Sequence, residues 1–132
     1  FSLWGCDINN AAIAEAGDAG LFVVEASLFD LKTEWPEGGF DLTCTVGVLI
    51  HIAPEDLSRA MDSIISVSNR YVLAVEYADE TEVEKEYRGH AQRLWRRPFG
   101  KMYVKRGLKL VAECQAPGPA FDKCAWWLLE RP

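Results

Sequence analysis

A chain of 132 residues, about half of them apolar, is sized for one domain with a real core. Its net charge of −6 argues against non-specific nucleic-acid binding as the main business. No apolar run approaches the ~20 residues that cross a bilayer, and nothing at the start reads as a secretory signal, so the expectation is a cytoplasmic protein with no membrane partner.

The chain opens on FSLWGC, an apolar run that reads as a strand already under way and is closed by Asp7. With no methionine or polar lead-in before it, the expectation is a piece of a longer protein. NNAAIAEAGDAG follows, with a capping asparagine, helix formers and two glycines near its end, and predicts a short helix. LFVVEA is a continuous β-branched and aromatic run, suited to a strand buried on both faces. Trp35, Pro36, Gly38 and Gly39 mark a loop before the next strand, FDLTCTVGVLI.

PEDLSRAMDSIISVSN predicts a helix. Pro54 suits its first turn, Glu55 and Asp56 its positive end, and Leu57, Met61, Ile64 and Ile65 share one face. RYVLAVEY is a further buried strand. ADETEVEKE is acidic, whereas residues 88–106 hold five arginines and two lysines with no acid, and read as a helix. LKLVAECQ and KCAWWLLE then predict an antiparallel pair joined by APGPAFD. The four cysteines, Cys6, Cys44, Cys114 and Cys124, sit singly in apolar segments without C-x-x-C spacing, and read as buried thiols rather than metal ligands. Strands alternating with helices point to an α/β domain over residues 1–132, with a mostly parallel sheet and a C-terminal antiparallel hairpin.

Ligands of open α/β sheets bind beyond the carboxyl ends of the strands, so the residues there are the candidates. Asp7 and Ile8 follow the first strand, and a carboxylate there can accept bonds from both hydroxyls of a ribose. Ser27 and Leu28 follow the second, where a purine edge and face would need them. Val46 and Gly47 follow the third, the glycine allowing close approach to the backbone. Glu76 and Tyr77 end the fourth. Each residue also has a plain reading: Asp7 as a helix cap, Ser27 as the end of a turn.

GCDINNAAIAEA, FDLTCTVGVLIHIAPEDLSRAM and SNRYVLAVEY, in this order, resemble the Rossmann-like core of class I S-adenosylmethionine-dependent methyltransferases. GVLIHI and EYRGHAQRLWRR are similar to stretches of the methylases associated with pseudaminic acid biosynthesis. The resemblance runs from about Gly5 to Val111. It implies a three-layer α/β sandwich with S-adenosylmethionine as cofactor. Asp7 and Ile8 would take the ribose and adenine, Ser27 and Leu28 the adenine edge, and Val46 and Gly47 the methionine part. The acceptor would be a small molecule, a sugar or nucleotide sugar among the candidates. The family's first strand and glycine-rich loop, E/D-x-G-x-G-x-G, find no match in this chain; they would lie before Phe1. The expectation is therefore a domain lacking its first strand and helix, with cofactor binding impaired. In the family that strand lies between those holding Gly5 and Cys44, so either a gap or direct pairing of the two is expected.

His51 has two readings: a satisfied, partly buried residue between isoleucines, or a catalytic cleft residue that orients the acceptor or takes its proton. The basic stretch has three: a solvated helix face, a nucleic-acid surface, or an acceptor pocket. In the pocket reading Arg88, His90 or Arg93 grips a phosphate or carboxylate and Glu76 and Tyr77 complete the contacts. At most one of Arg96 and Arg97 would face that pocket. The competing function, without catalysis, is an association module, a homodimer covering the exposed sheet edges.

Overall fold

The computed structural model describes residues 2–115 and 124–132. Strand β1 (Trp4–Asp7) leads to helix α1 (Asn10–Asp18), β2 (Phe22–Glu25), a 3-10 turn (Leu28–Asp30) and the one-turn helix α2 (Leu31–Glu34). Then come β3 (Phe40–Val46), a second 3-10 turn (Leu49–His51), α3 (Pro54–Val67) and β4 (Ser68–Tyr77). The chain closes with β5 (Val83–Tyr87), β6 (His90–Arg96), α4 (Phe99–Val104), β7 (Lys109–Gln115) and β8 (Cys124–Glu130).

Three sheets result. β1 and β2 pair in parallel; β3, β4, β8 and β7 form a four-stranded sheet in that order; β5 and β6 form a separate antiparallel hairpin. Within the larger sheet β3 and β4 run parallel while β8 is antiparallel to both neighbours. This is a Rossmann-like α/β arrangement with the expected antiparallel strands at the C-terminal end. The APGPAFD connection between them lies outside the described residues. β1 and β3 lie in separate sheets and are not hydrogen-bonded to each other, so the direct pairing of the two is not formed.

The core sits between α3, α4 and one face of the larger sheet. Leu57, Met61 and Ile64 on α3 join Val72 and Ala74 on β4 and Trp127 and Leu129 on β8. The apolar spacing of α3 follows the 3.6-residue period, and Pro54 occupies its first turn as the sequence predicts. Two expectations need correction. β2 is not buried on both faces, since Phe22 and Glu25 are exposed, and on β3 Leu42, Cys44 and Val46 are exposed while Thr45 is buried. Both are edge strands with a neighbour on one side only, so their apolar content exceeds what the fold covers. Of the four cysteines read as buried, only Cys124 is; Cys6 is half-buried, and Cys44 and Cys114 are exposed on the strand surfaces.

The basic stretch also differs from its expected helix. Residues 83–96 form the β5–β6 hairpin, turned at Arg88-Gly89, and only 99–104 are helical. Arg88 and Gly89 have φ values of +51° and +81°, both on the left-handed side, as a two-residue type I′ turn requires.

Candidate functional site

The residues expected around a nucleoside lie at the carboxyl ends of β1, β2 and β3. Asp7 is exposed, and its Oδ1 accepts the Asn9 N–H at 2.8 Å. The helix cap itself is Asn9, whose side chain accepts from the Ala11 and Ala12 N–H groups. Asp7 is thus not consumed as the cap. The register pairs Asp7 with Glu25, and Ala26 N–H donates to the Asp7 carbonyl, so Ser27 begins just beside Asp7 on the same edge. Ser27 Oγ accepts from Phe29 N–H at 3.2 Å, capping the 3-10 turn in line with its plain reading. Ile8 is 73% exposed and Leu28 half-buried.

On the larger sheet, Val46 is 54% exposed. Gly47 has φ +64°, and nothing lies within 4 Å of where a β-carbon would sit. An exposed acid beside apolar side chains, with open space over a glycine, suits a nucleoside bearing a charged tail. These groups are of the kinds a nucleoside cofactor uses, carried on two sheets that are not paired with each other.

Between the end of β3 and the β5–β6 hairpin runs the segment 47–51, and two buried polar side chains hold it. Glu76, fully buried on β4, accepts Val48 N–H on Oε1 and Ile50 N–H on Oε2, each at 3.3 Å. The Thr45 hydroxyl faces the same carboxylate without a bond of full hydrogen-bond geometry. Burial pushes the Glu76 carboxyl up to about 7, and the backbone donors of Leu49, Val48 and Ile50 oppose that rise. From the other side Arg97, also fully buried, donates from Nη1 to the Leu49 carbonyl at 3.1 Å and from Nε to Glu82 at 2.5 Å. Glu76, expected as an acceptor contact, instead braces this turn from the inside. Tyr77 is half-buried against the core.

The braced turn presents His51 outward. Its Nδ1 lies 2.7 Å from the Arg93 carbonyl, and its ring meets Tyr87 edge-on at 4.9 Å between centroids. A carbonyl only accepts, so Nδ1 carries the proton and the neutral ring keeps its lone pair on Nε2. His51, Tyr87, Arg88, His90 and Arg93 line one open cavity of about 510 Å³. The structure thus brings together four residues singled out from sequence, His51 with Arg88, His90 and Arg93, which lie 37 to 42 positions further along the chain. Glu76 and Tyr77 are not among its walls. Neither are Arg96 and Arg97, which pair with Asp79 and Glu82.

Tyr87 is the wall residue that sequence reasoning did not assign, although its place directly before the Arg88-Gly89 turn was a usable signal. The rest of the basic stretch is largely neutralised, with Lys101 on Glu80 and Arg106 on Asp62. An extended nucleic-acid surface needs free cations along its length, and this pattern argues against one.

By sequence, no protein family and no curated protein matches the chain; the matches are structural. The chain superposes on 1,6-didemethyltoxoflavin-N1-methyltransferase from Burkholderia thailandensis with a TM-score of 0.78 at 13% identity, covering 98% of this chain and 61% of that one. It is similar to magnesium protoporphyrin IX methyltransferase from Synechocystis PCC 6803 (TM-score 0.72, 16% identity, 98% and 59% covered). It is likewise similar to the N-methyltransferase NodS from Bradyrhizobium japonicum WM9 (TM-score 0.72, 14% identity, 98% and 66% covered). The chain spans about three fifths of the length of the first two. At these identities the likeness establishes the fold, which is that of the Rossmann-like methyltransferases.

Proposed function

We propose that the chain belongs to an enzyme that transfers a methyl group from S-adenosylmethionine to a small-molecule acceptor. The observation that carries this reading is the layout of its two half-sites. Val46 and Gly47, exposed at the end of β3, and the cavity of His51 lie at opposite ends of one braced turn, residues 47–51, while Asp7 and Ile8 are exposed at the end of β1. The bound cofactor supplies a methyl group on a sulfonium, ready for in-line displacement. Asp7 binds the ribose hydroxyls, Ile8 and Leu28 pack on the adenine, Ser27 meets its edge, and Gly47 admits the methionine part. His51, with Nε2 free, orients the acceptor and takes the proton that its reacting oxygen or nitrogen loses. The resemblance in GVLIHI and EYRGHAQRLWRR supports a sugar or nucleotide sugar as acceptor.

Calorimetric titration of the chain with S-adenosylhomocysteine tests the cofactor half. Saturable binding that Asp7→Ala weakens by at least about tenfold supports the reading, that factor being the loss of a charge-assisted bond. A weak but Asp7-dependent isotherm fits the impairment expected without a G-x-G loop. No heat at millimolar ligand favours the alternative, an association module.

That alternative has its own support. Trp4 and Phe22 stack at 5.4 Å on an exposed face of the β1–β2 sheet, and Leu3 and Leu21 beside them are also exposed. The occupant would be a second copy of the chain. Sedimentation velocity showing a concentration-dependent dimer, dispersed by Phe22→Ser, supports it; a monomer throughout removes it.

A further inference from the structure

The arginines of this chain divide into two groups. Six are engaged: Arg59, Arg70, Arg96, Arg97 and Arg106 on carboxylates, and Arg131 on the carbonyls of Ile65 and Ser68. Among the described residues Arg88 and Arg93 have neither a carboxylate nor a carbonyl on the guanidinium. Arg88 only lies over the Tyr87 ring, 5.2 Å from its centroid. Both of these residues line the same cavity, together with both histidines of the chain, His51 and His90. No acid contributes to its walls, although acids outnumber cations in the whole protein by 20 to 14.

The backbone adds an independent sign. Arg88 occupies the first central position of the type I′ turn at φ +51°, where asparagine, aspartate or glycine sits at less strain. An arginine there stores roughly 1 kcal/mol of backbone strain. Next along the hairpin, Gln92 is also left-handed, at φ +55°, and its N–H is held by Glu84 at 2.8 Å. That irregularity lies directly before Arg93, whose carbonyl holds His51. Two left-handed positions therefore fall within the short segment, residues 88–93, that carries the cavity's two arginines.

We propose that this cavity binds an oxyanion, a carboxylate or phosphate group of the acceptor, held by the guanidinium groups of Arg88 and Arg93 with His90 beside them. Planar guanidinium groups match both oxyanions by paired N–H bonds, and a pair of them free of internal carboxylates has no competing partner to displace. The proposal rests on the cavity being the acceptor pocket. It makes the acceptor an acid whose charged end is fixed at the hairpin while its reacting atom reaches His51.

The two histidines allow a direct test, because imidazole NMR spectra of the ¹⁵N-labelled chain report on this cavity alone. Inorganic phosphate and acetate are titrated separately at constant ionic strength, with chloride as the control. Both imidazoles are expected to shift saturably with at least one of the two oxyanions. Preference for phosphate identifies a phosphorylated acceptor, and preference for acetate a carboxylic acid. Arg88→Asn and Arg93→Gln should each weaken binding by about tenfold or more. Arg70→Gln, on the Glu130 pair far along the sheet, should leave it unchanged.

Arg88→Asn should also melt at the same or a higher temperature, because asparagine suits the turn better, which separates lost binding from lost folding. Shifts no larger than those with chloride, or variants at Arg88 and Arg93 that bind like the parent, overturn the proposal. The outcome is independent of the S-adenosylhomocysteine titration. Oxyanion binding without cofactor binding would leave this site standing and remove the methyl-transfer reading; the reverse result would do the opposite.

Discussion

Glu76 shows how far a single side chain's role depends on what surrounds it. From sequence it is an acid at a strand end, where a ligand contact is the natural expectation. In the fold it lies under the turn of residues 47–51 and accepts two backbone N–H groups. Its carboxyl, raised from 4.5 to about 7 by burial, gives stability a definite pH dependence. Between those values the folded chain keeps a proton that the unfolded chain has released. The group's favourable contribution is thus complete below about 4.5 and is lost as pH rises through 7. The expected loss is about 3 kcal/mol. Thermal melts at pH 5 and pH 7.5 should show a lower midpoint at the higher pH, and Glu76→Gln should abolish most of that difference. Equal slopes in parent and variant would refute this assignment. His51 shows the converse: sequence left it open between a satisfied, partly buried residue and a cleft residue, and gave no sign of its tautomer. Only the Arg93 carbonyl, 42 positions away, decides which ring nitrogen is free.

At the scale of elements, α3 was readable from its apolar period and first-turn proline, and the pair β7 and β8 from apolar runs separated by a proline- and glycine-rich stretch. The β5–β6 hairpin was not. Arg, Gln, Ala and Leu between 88 and 97 are sound helix formers, so local propensity favoured a helix. The chain turns at Arg88-Gly89 instead, and burial of Leu94 and Trp95 holds β6 in place. Tertiary packing outweighed propensities of a few tenths of a kcal/mol per residue. Helix α4 offers a test of the same contest. Alanine at position 100 would favour the helix by ~1 kcal/mol on propensity alone. A β-carbon there, however, meets Trp127 Cδ1 at 2.3 Å, and Trp127 is itself packed against Phe99. Gly100→Ala should therefore destabilise the protein by about 2 kcal/mol or more in urea unfolding, the opposite sign from propensity.

Across the whole molecule, stability is unevenly distributed. The core joins α3, α4, β4 and β8, whereas β1, α1 and β2 contain no fully buried residue. Hydrogen exchange should accordingly find the amides of β4 and β8 slowest and those of β1 and β2 fastest among the strands. Equal protection in both sheets would show that the β1–β2 unit is secured by something other than burial. This bears on function, because Asp7 and Ser27 sit on the less secured sheet and His51 on the braced one. A ligand spanning both should slow exchange in β1 and β2 more than elsewhere.

Sequence alone determined the α/β class, the order of the main elements up to β4 and of the closing pair β7 and β8, and the positions that fall at strand carboxyl ends, because apolar period, glycines and turn residues are local signals. It also singled out Arg88, His90 and Arg93 as residues that could grip a phosphate or carboxylate. Which of the seven cations in 88–106 stay free was decided only by the tertiary structure. Pairing of Arg96, Arg97, Lys101 and Arg106 depends on acids 15 to 44 positions distant, and ion pairs are set by distance in space. The same holds for the unpaired edges of β1 and β3. Their apolar residues read as buried until the sheet order shows that neither has a second neighbour.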